Sequence, residues 1–207
     1  MKFIAGVIFL FSFFTVCGQI NKPGRHKKFD INTYLEKIYD SLKRKGTTNL
    51  ITVKRSFSGL HIMDSLGPAF YYYLFWQRDT NICFQKIKHY YDDRIIRSPL
   101  KLIIGSDIFP YLKNYFDSIK NEELLPFIAK YESNGIESYN SLTSIHQGFY
   151  DLTLYSKNET IYKSFEHSYL QKDIGSEISN LNYRYNSSTK LMSLWNRLWE
   201  QVKNEFP

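Results

Sequence analysis

Between Gly67 and Lys88 the chain reads GPAFYYYLFWQRDTNICFQKIK, two apolar runs about a polar break at Arg78–Asn81. This pattern predicts a β-hairpin. On the first run Phe70, Tyr72, Leu74 and Trp76 fall on one side. Ala69, Tyr71, Tyr73 and Phe75 fall on the other, because side chains alternate along a strand. Both sides are apolar, so the strand is expected at the centre of a sheet covered on both faces. Burying the first four side chains contributes about 6–12 kcal/mol, at about 1.5–3 kcal/mol each.

Ahead of this hairpin, Asp30 is a suitable N-cap, and Ile31, Tyr34, Leu35, Ile38, Tyr39 and Leu42 recur at helical spacing. Lys43, Arg44 and Lys45 complement the dipole in the last turn, and Gly46 ends the helix. Leu50–Phe57 reads as a strand, and His89–Asp93 as a loop or frayed strand end. Leu100–Ile104 is short and β-branched, which predicts a buried strand. Ser106 caps an expected helix to about Ile119, with Ile108, Leu112, Tyr115, Phe116 and Ile119 on its apolar face. Asn121–Tyr131 suggests a further helical segment, and Asn134-Gly135 a turn.

Ser144–Tyr155 and Thr160–Tyr169 predict a second hairpin, nearer the sheet edge because one of its faces is mixed. Gln171–Asn186 is weakly patterned and reads as loop. From Ser188 to Phe206, Leu191, Leu194, Trp195, Leu198 and Val202 form one stripe of a C-terminal helix. The expected class is α+β: a mostly antiparallel sheet of about five or six strands with N-terminal, central and C-terminal helices packed on it. One domain is expected over residues 30–207.

The first 18 residues have a different character. Lys2 precedes the apolar run Phe3–Val16, and Val16-Cys17-Gly18 stands before Gln19. That order matches an export signal, and a run of about 14 residues falls short of the roughly 20 that a membrane helix needs. The competing reading is a lipid-modified Cys17, which Val16 disfavours because a small residue normally precedes such a cysteine. The expectation is therefore an exported soluble protein, periplasmic or secreted, with residues 19–29 a basic flexible tail. Without Lys2, the 27 basic residues fall to 26 against 20 acidic ones, a formal charge of +6. Lys22, Arg25, Lys27 and Lys28 are the densest cluster, suited to weak contact with an anionic surface. No clustered basic helix points to nucleic acid. Cys83 is the one cysteine left after cleavage, so no internal disulfide is expected, and its place in a strand suggests a small buried hydrophobe.

Chemistry is sparse. His89 with Asp92 and Asp93 is the local metal candidate, one imidazole and two carboxylates on one short stretch. His146, with Asp151 five residues on and Ser144 nearby, is the catalytic candidate, and His89 is a second imidazole. Strand parity puts Ser144 and His146 on one face and Asp151 on the other, which opposes a ready-made dyad. There is no nucleophile elbow, phosphate loop or dinucleotide fingerprint, so no cofactor is expected. The aromatic share of 17% raises glycan binding, with Tyr90, Tyr91, Tyr183 and Tyr185 as candidates in polar segments. The leading expectation is a non-catalytic binding protein of the bacterial envelope or exterior, its partner a protein or glycan. The alternatives are a small exported hydrolase assembled from distant residues, and a glycan-binding module.

Overall fold

The structure, a computed structural model, describes residues 30–57, 67–133, 135–141, 148–174 and 178–205. The expected export signal 1–18 with Cys17, the expected tail 19–29 with Lys22, Arg25, Lys27 and Lys28, and Ser144 and His146 lie outside the described residues. The described residues from Ile31 onward form one compact unit.

Helix α1 (Ile31–Arg44) leads into β1 (Leu50–Phe57), β2 (Pro68–Arg78) and β3 (Asn81–Tyr90). Two short strands, β4 (Ile95–Arg97) and β5 (Lys101–Ile103), precede α2 (Ile108–Asn121). A hairpin of β6 (Ile128–Ser133) and β7 (Ile136–Ser141) comes before the second large hairpin, β8 (Gly148–Ser156) and β9 (Glu159–Glu166). A 3-10 turn (His167–Leu170), the two-residue strands β10 (Asp173–Ile174) and β11 (Ile178–Ser179), and α3 (Tyr183–Ser188) lead to α4 (Lys190–Val202).

The main sheet has seven strands in the order β4-β3-β2-β1-β8-β9, with β5 also on β3, and every pairing is antiparallel. The fold is α+β, as the hydrophobic pattern requires. At the β8–β9 turn Lys157 and Asn158 both take positive φ, 52° and 62°, the twist that a two-residue hairpin needs.

The alternation along β2 sorts the two faces. Tyr71, Tyr73 and Phe75 join Ile51, Val53, Phe84, Tyr150 and Leu152 in the larger core, under α2 and α4. Trp195 of α4 is wedged there, 4.4 Å from the Tyr150 ring and 5.4 Å from Phe165. On the opposite face Tyr72, Leu74 and Ile87 meet Leu35 of α1, with Phe70 and Trp76 at the margin. Central β2 is thus covered on both sides.

Several expectations need correction. Leu100–Ile104 is not buried: β5 is an edge strand, and Leu102 and Ile104 are exposed because only β3 pairs with it. The stretch after Asn121 is not helical. Glu122 is extended, and Ile128–Ser133 pairs with β7 in a separate two-stranded sheet. His89 belongs to β3, stacked on Phe70 at 6.0 Å, because β4 extends the ladder. Tyr115 departs from helical geometry and is exposed, so it does not share the α2 core face. The C-terminal helix begins afresh at Thr189, whose hydroxyl accepts from the Met192 amide at 3.1 Å. Within Gln171–Asn186, the side chain of Asn186 is fully buried and bonds Leu125 N and O and Tyr169 O, which fastens α3 to two connecting segments.

Candidate functional site

The apolar side of helix α1 packs against Tyr72, Leu74, Ile87 and Ile95 of β2, β3 and β4, and β1, β8 and β9 leave part of the same face open. Antiparallel register arranges this part in rows. Leu50 lies opposite Tyr155 and Tyr155 opposite Thr160; Thr52 opposite Thr153 and Thr153 opposite Tyr162; Lys54 opposite Asp151 and Asp151 opposite Ser164. The side of α1 facing these rows is polar. Asn32, Glu36, Tyr39, Asp40 and Lys43 fall at intervals of three and four residues, one stripe of the helix. Between stripe and rows opens a cleft of about 510 Å³. A second hollow of about 580 Å³ beside Trp76 and Leu100 takes half its wall from residues between elements, such as Gly46, Thr47 and Asp79. The first is the better-defined site, because a regular sheet forms its floor.

The floor is polar and internally paired at one end. Lys54 Nζ donates to Asp151 Oδ2 at 3.1 Å, and Ser164 Oγ donates to Asp151 Oδ1 at 2.7 Å. Each carboxylate oxygen of Asp151 thus accepts one hydrogen bond from the floor and keeps further acceptor capacity toward the cleft. Lys54 also lies 5.1 Å from the centre of the Phe70 ring, and Lys43 lies 4.1 Å over Tyr155. Burial pushes the Tyr72 phenol up to about 12, and nearby Tyr39 and Asp151 add to the rise. Burial also raises Tyr39, while the Thr52 hydroxyl beside it holds it down. Thr52 is 3% exposed, and its Oγ1 has no partner at hydrogen-bond geometry. The Tyr39–Thr52 approach is therefore a close polar contact rather than a formed bond. At the rim, Tyr162 on the outer strand is 74% exposed.

The structure brings few of the sequence candidates together. Asp151 is the one that reaches the cleft. His89 is buried in β3, with Nε2 at 3.7 Å from Asp93 Oδ1, while Asp92 turns to Arg94 at 2.5 Å. Among the described residues no three His, Cys, Asp or Glu side chains converge as a metal site would require. Tyr90 lies under the Arg94 guanidinium at 4.7 Å and Tyr91 on the following turn. Tyr183 packs against the larger core and Tyr185 is exposed on α3. Cys83 is buried, and burial raises its thiol pKa.

Sequence reasoning missed the cleft residues Tyr39, Thr153 and Tyr162. The signal was present in the helical spacing of polar residues on α1 and the hydroxyl-rich alternation of β8. It also missed a cluster on the other face, where the Tyr150 hydroxyl is 3.2 Å from His167 Nδ1 and the Arg55 guanidinium is 5.9 Å from the Tyr150 ring. Burial, then the Arg55 charge, lowers the His167 pKa, so its ring is neutral and accepts from the phenol when its proton is on Nε2. Tyr150 is fully buried beneath Trp195, a packed position rather than an open one.

Among the described residues no helix is long and apolar enough to cross a membrane. No protein-family model, curated protein or solved structure matches the chain significantly.

Proposed function

We propose that this is an exported, non-catalytic binding protein of the bacterial envelope or exterior, and that the cleft between α1 and β1, β8 and β9 holds its ligand. The observation that supports the reading is the half-covered sheet face, a concave floor of ordered side chains with a polar helix as its wall. About 510 Å³ lies within the roughly 300–1,000 Å³ of small-molecule sites. The order of Lys2, the apolar run and Cys17-Gly18 supports export. A binding role fits the state of Asp151, whose carboxylate is held by Lys54 and Ser164 as part of the cleft floor.

A ligand in this cleft meets ring faces at Tyr155 and Tyr162, hydroxyls at Thr153 and Thr160, and carboxylates on α1. The test is capture from envelope extract on the immobilised chain from Gln19 onward, compared with Thr153→Trp, which fills the floor. Retention of a component by the wild-type chain and its loss from the filled variant is the expected result. Equal retention by both places binding elsewhere.

A further inference from the structure

We propose that the ligand of this cleft is a neutral saccharide, lying with a C–H face of one ring on Tyr162 and its hydroxyls toward Thr153 and Thr160; this rests on the binding reading above. Charge is the first argument. Glu36, Asp40 and Asp151 bring three carboxylates to the cleft against two ammonium groups, Lys43 and Lys54. Neither ammonium is idle, since Lys54 is bonded to Asp151 and Lys43 sits over Tyr155. Among the described residues a phosphate or sulfate ester would meet more carboxylates than ammonium groups, with both lysines already engaged. Carboxylates instead suit neighbouring sugar hydroxyls, which donate hydrogen bonds to them.

The distribution of polar and aromatic groups is the second argument. A sugar ring presents apolar C–H faces and a hydroxyl edge, so it needs flat apolar surface beside small donors and acceptors. Half-buried Thr153 and Thr160 supply hydroxyls on the floor, and Tyr162, opposite Thr153, supplies a phenol ring at the rim. Tyr162 is 74% exposed on a strand whose outer side has no neighbour in the main sheet. A chain of sugars entering the cleft therefore has a path out over β9. This assigns sugar contact to Tyr162, an aromatic on the floor side of the main sheet.

The test uses the chain from Gln19 onward with cellobiose, maltose and N,N′-diacetylchitobiose, followed by calorimetry and by NMR of the Thr153 and Thr160 methyl groups. At least one disaccharide should bind and shift both methyls, glucose 6-phosphate should bind at least about tenfold more weakly, and Tyr162→Ala should weaken binding by about tenfold or more. Because Tyr162 is exposed, that variant should keep the wild-type melting temperature. Failure of all three disaccharides, or binding indifferent to Tyr162→Ala, overturns the proposal. A cocktail of acetamide, imidazole and propane-1,2-diol separates the two levels. Methyl shifts with these fragments but not with the sugars reject the saccharide and leave the cleft as a binding site. Silence with both rejects the cleft as well.

Discussion

Lys54 Nζ lies 3.1 Å from Asp151 Oδ2, directly across the β1–β8 pairing and 97 residues apart in sequence. Their side chains are 35% and 45% exposed, so water screens the pair. It orders one end of the cleft floor more than it stabilises the fold. We expect a double-mutant cycle with Lys54→Met and Asp151→Asn to give a coupling of about 0.2–1 kcal/mol in urea unfolding. A coupling above about 2 kcal/mol would mean that the pair is far better shielded than its exposure indicates.

Trp195 is 3% exposed and packed between Tyr150 and Phe165. Trp195→Ala should cost about 3–5 kcal/mol, as deletion of a large core side chain does. A loss under about 1 kcal/mol in chemical denaturation would mean that α4 is not docked on the sheet.

Much of this architecture is legible in the chain because apolar periodicity is strong where elements are long. The alternation through Tyr71–Trp76 foretold a doubly covered strand, and the Leu191–Val202 stripe a docked helix. Legibility fails where tertiary partners decide. Leu102 and Ile104 look like core by composition, yet they are exposed at the edge, where among the described residues no strand lies beyond β5. Ile128–Ser133 is a strand because Ile136–Ser141 lies along it, with an isolated bridge from Ala129 to Asn180 on its other side. In the sequence, site candidates come from histidines and acidic residues, the usual carriers of chemistry, and from tyrosines in polar segments. The cleft depends instead on where α1 stops covering the sheet, and Asp151 alone links the two. No local pattern records that boundary.

The buried Asn186 amide makes three hydrogen bonds, to Leu125 N at 2.8 Å, Leu125 O at 2.9 Å and Tyr169 O at 2.9 Å. Asn186→Leu strips three backbone groups of their partner, and each net bond contributes about 0.5–1.5 kcal/mol. We expect a total loss of about 2–4 kcal/mol by urea denaturation. A change below about 0.5 kcal/mol would show that the connecting segments do not rely on this amide.

The Thr52 hydroxyl is buried without a partner of good geometry. Removing it spares a desolvation cost, so Thr52→Val should be neutral or stabilise by up to about 1 kcal/mol. A loss above about 1 kcal/mol would show that Tyr39 and Thr52 form a true bond.

Burial and Arg55 hold the folded His167 below the ordinary histidine value of about 6.5. The unfolded chain therefore takes up a proton first as pH falls, and stability must decline below about pH 6.5 until the folded ring also protonates. The urea midpoint should drop between about pH 7 and 5, and His167→Gln should flatten that part of the curve. An unchanged slope in the variant would assign the acid sensitivity to other groups.

The division of one sheet face into a covered half and an open half can be read most directly by thiol accessibility. Thr153→Cys in the chain from Gln19 onward places a thiol on the cleft floor, and the buried Cys83 serves as internal reference. Maleimide should label Cys83 slowly and the new thiol at least about tenfold faster, while a thiol at Leu74→Cys, beneath α1, should react as slowly as Cys83. A thiol at position 153 that is as protected as Cys83 would show the face closed from edge to edge, with no cleft for a ligand to enter.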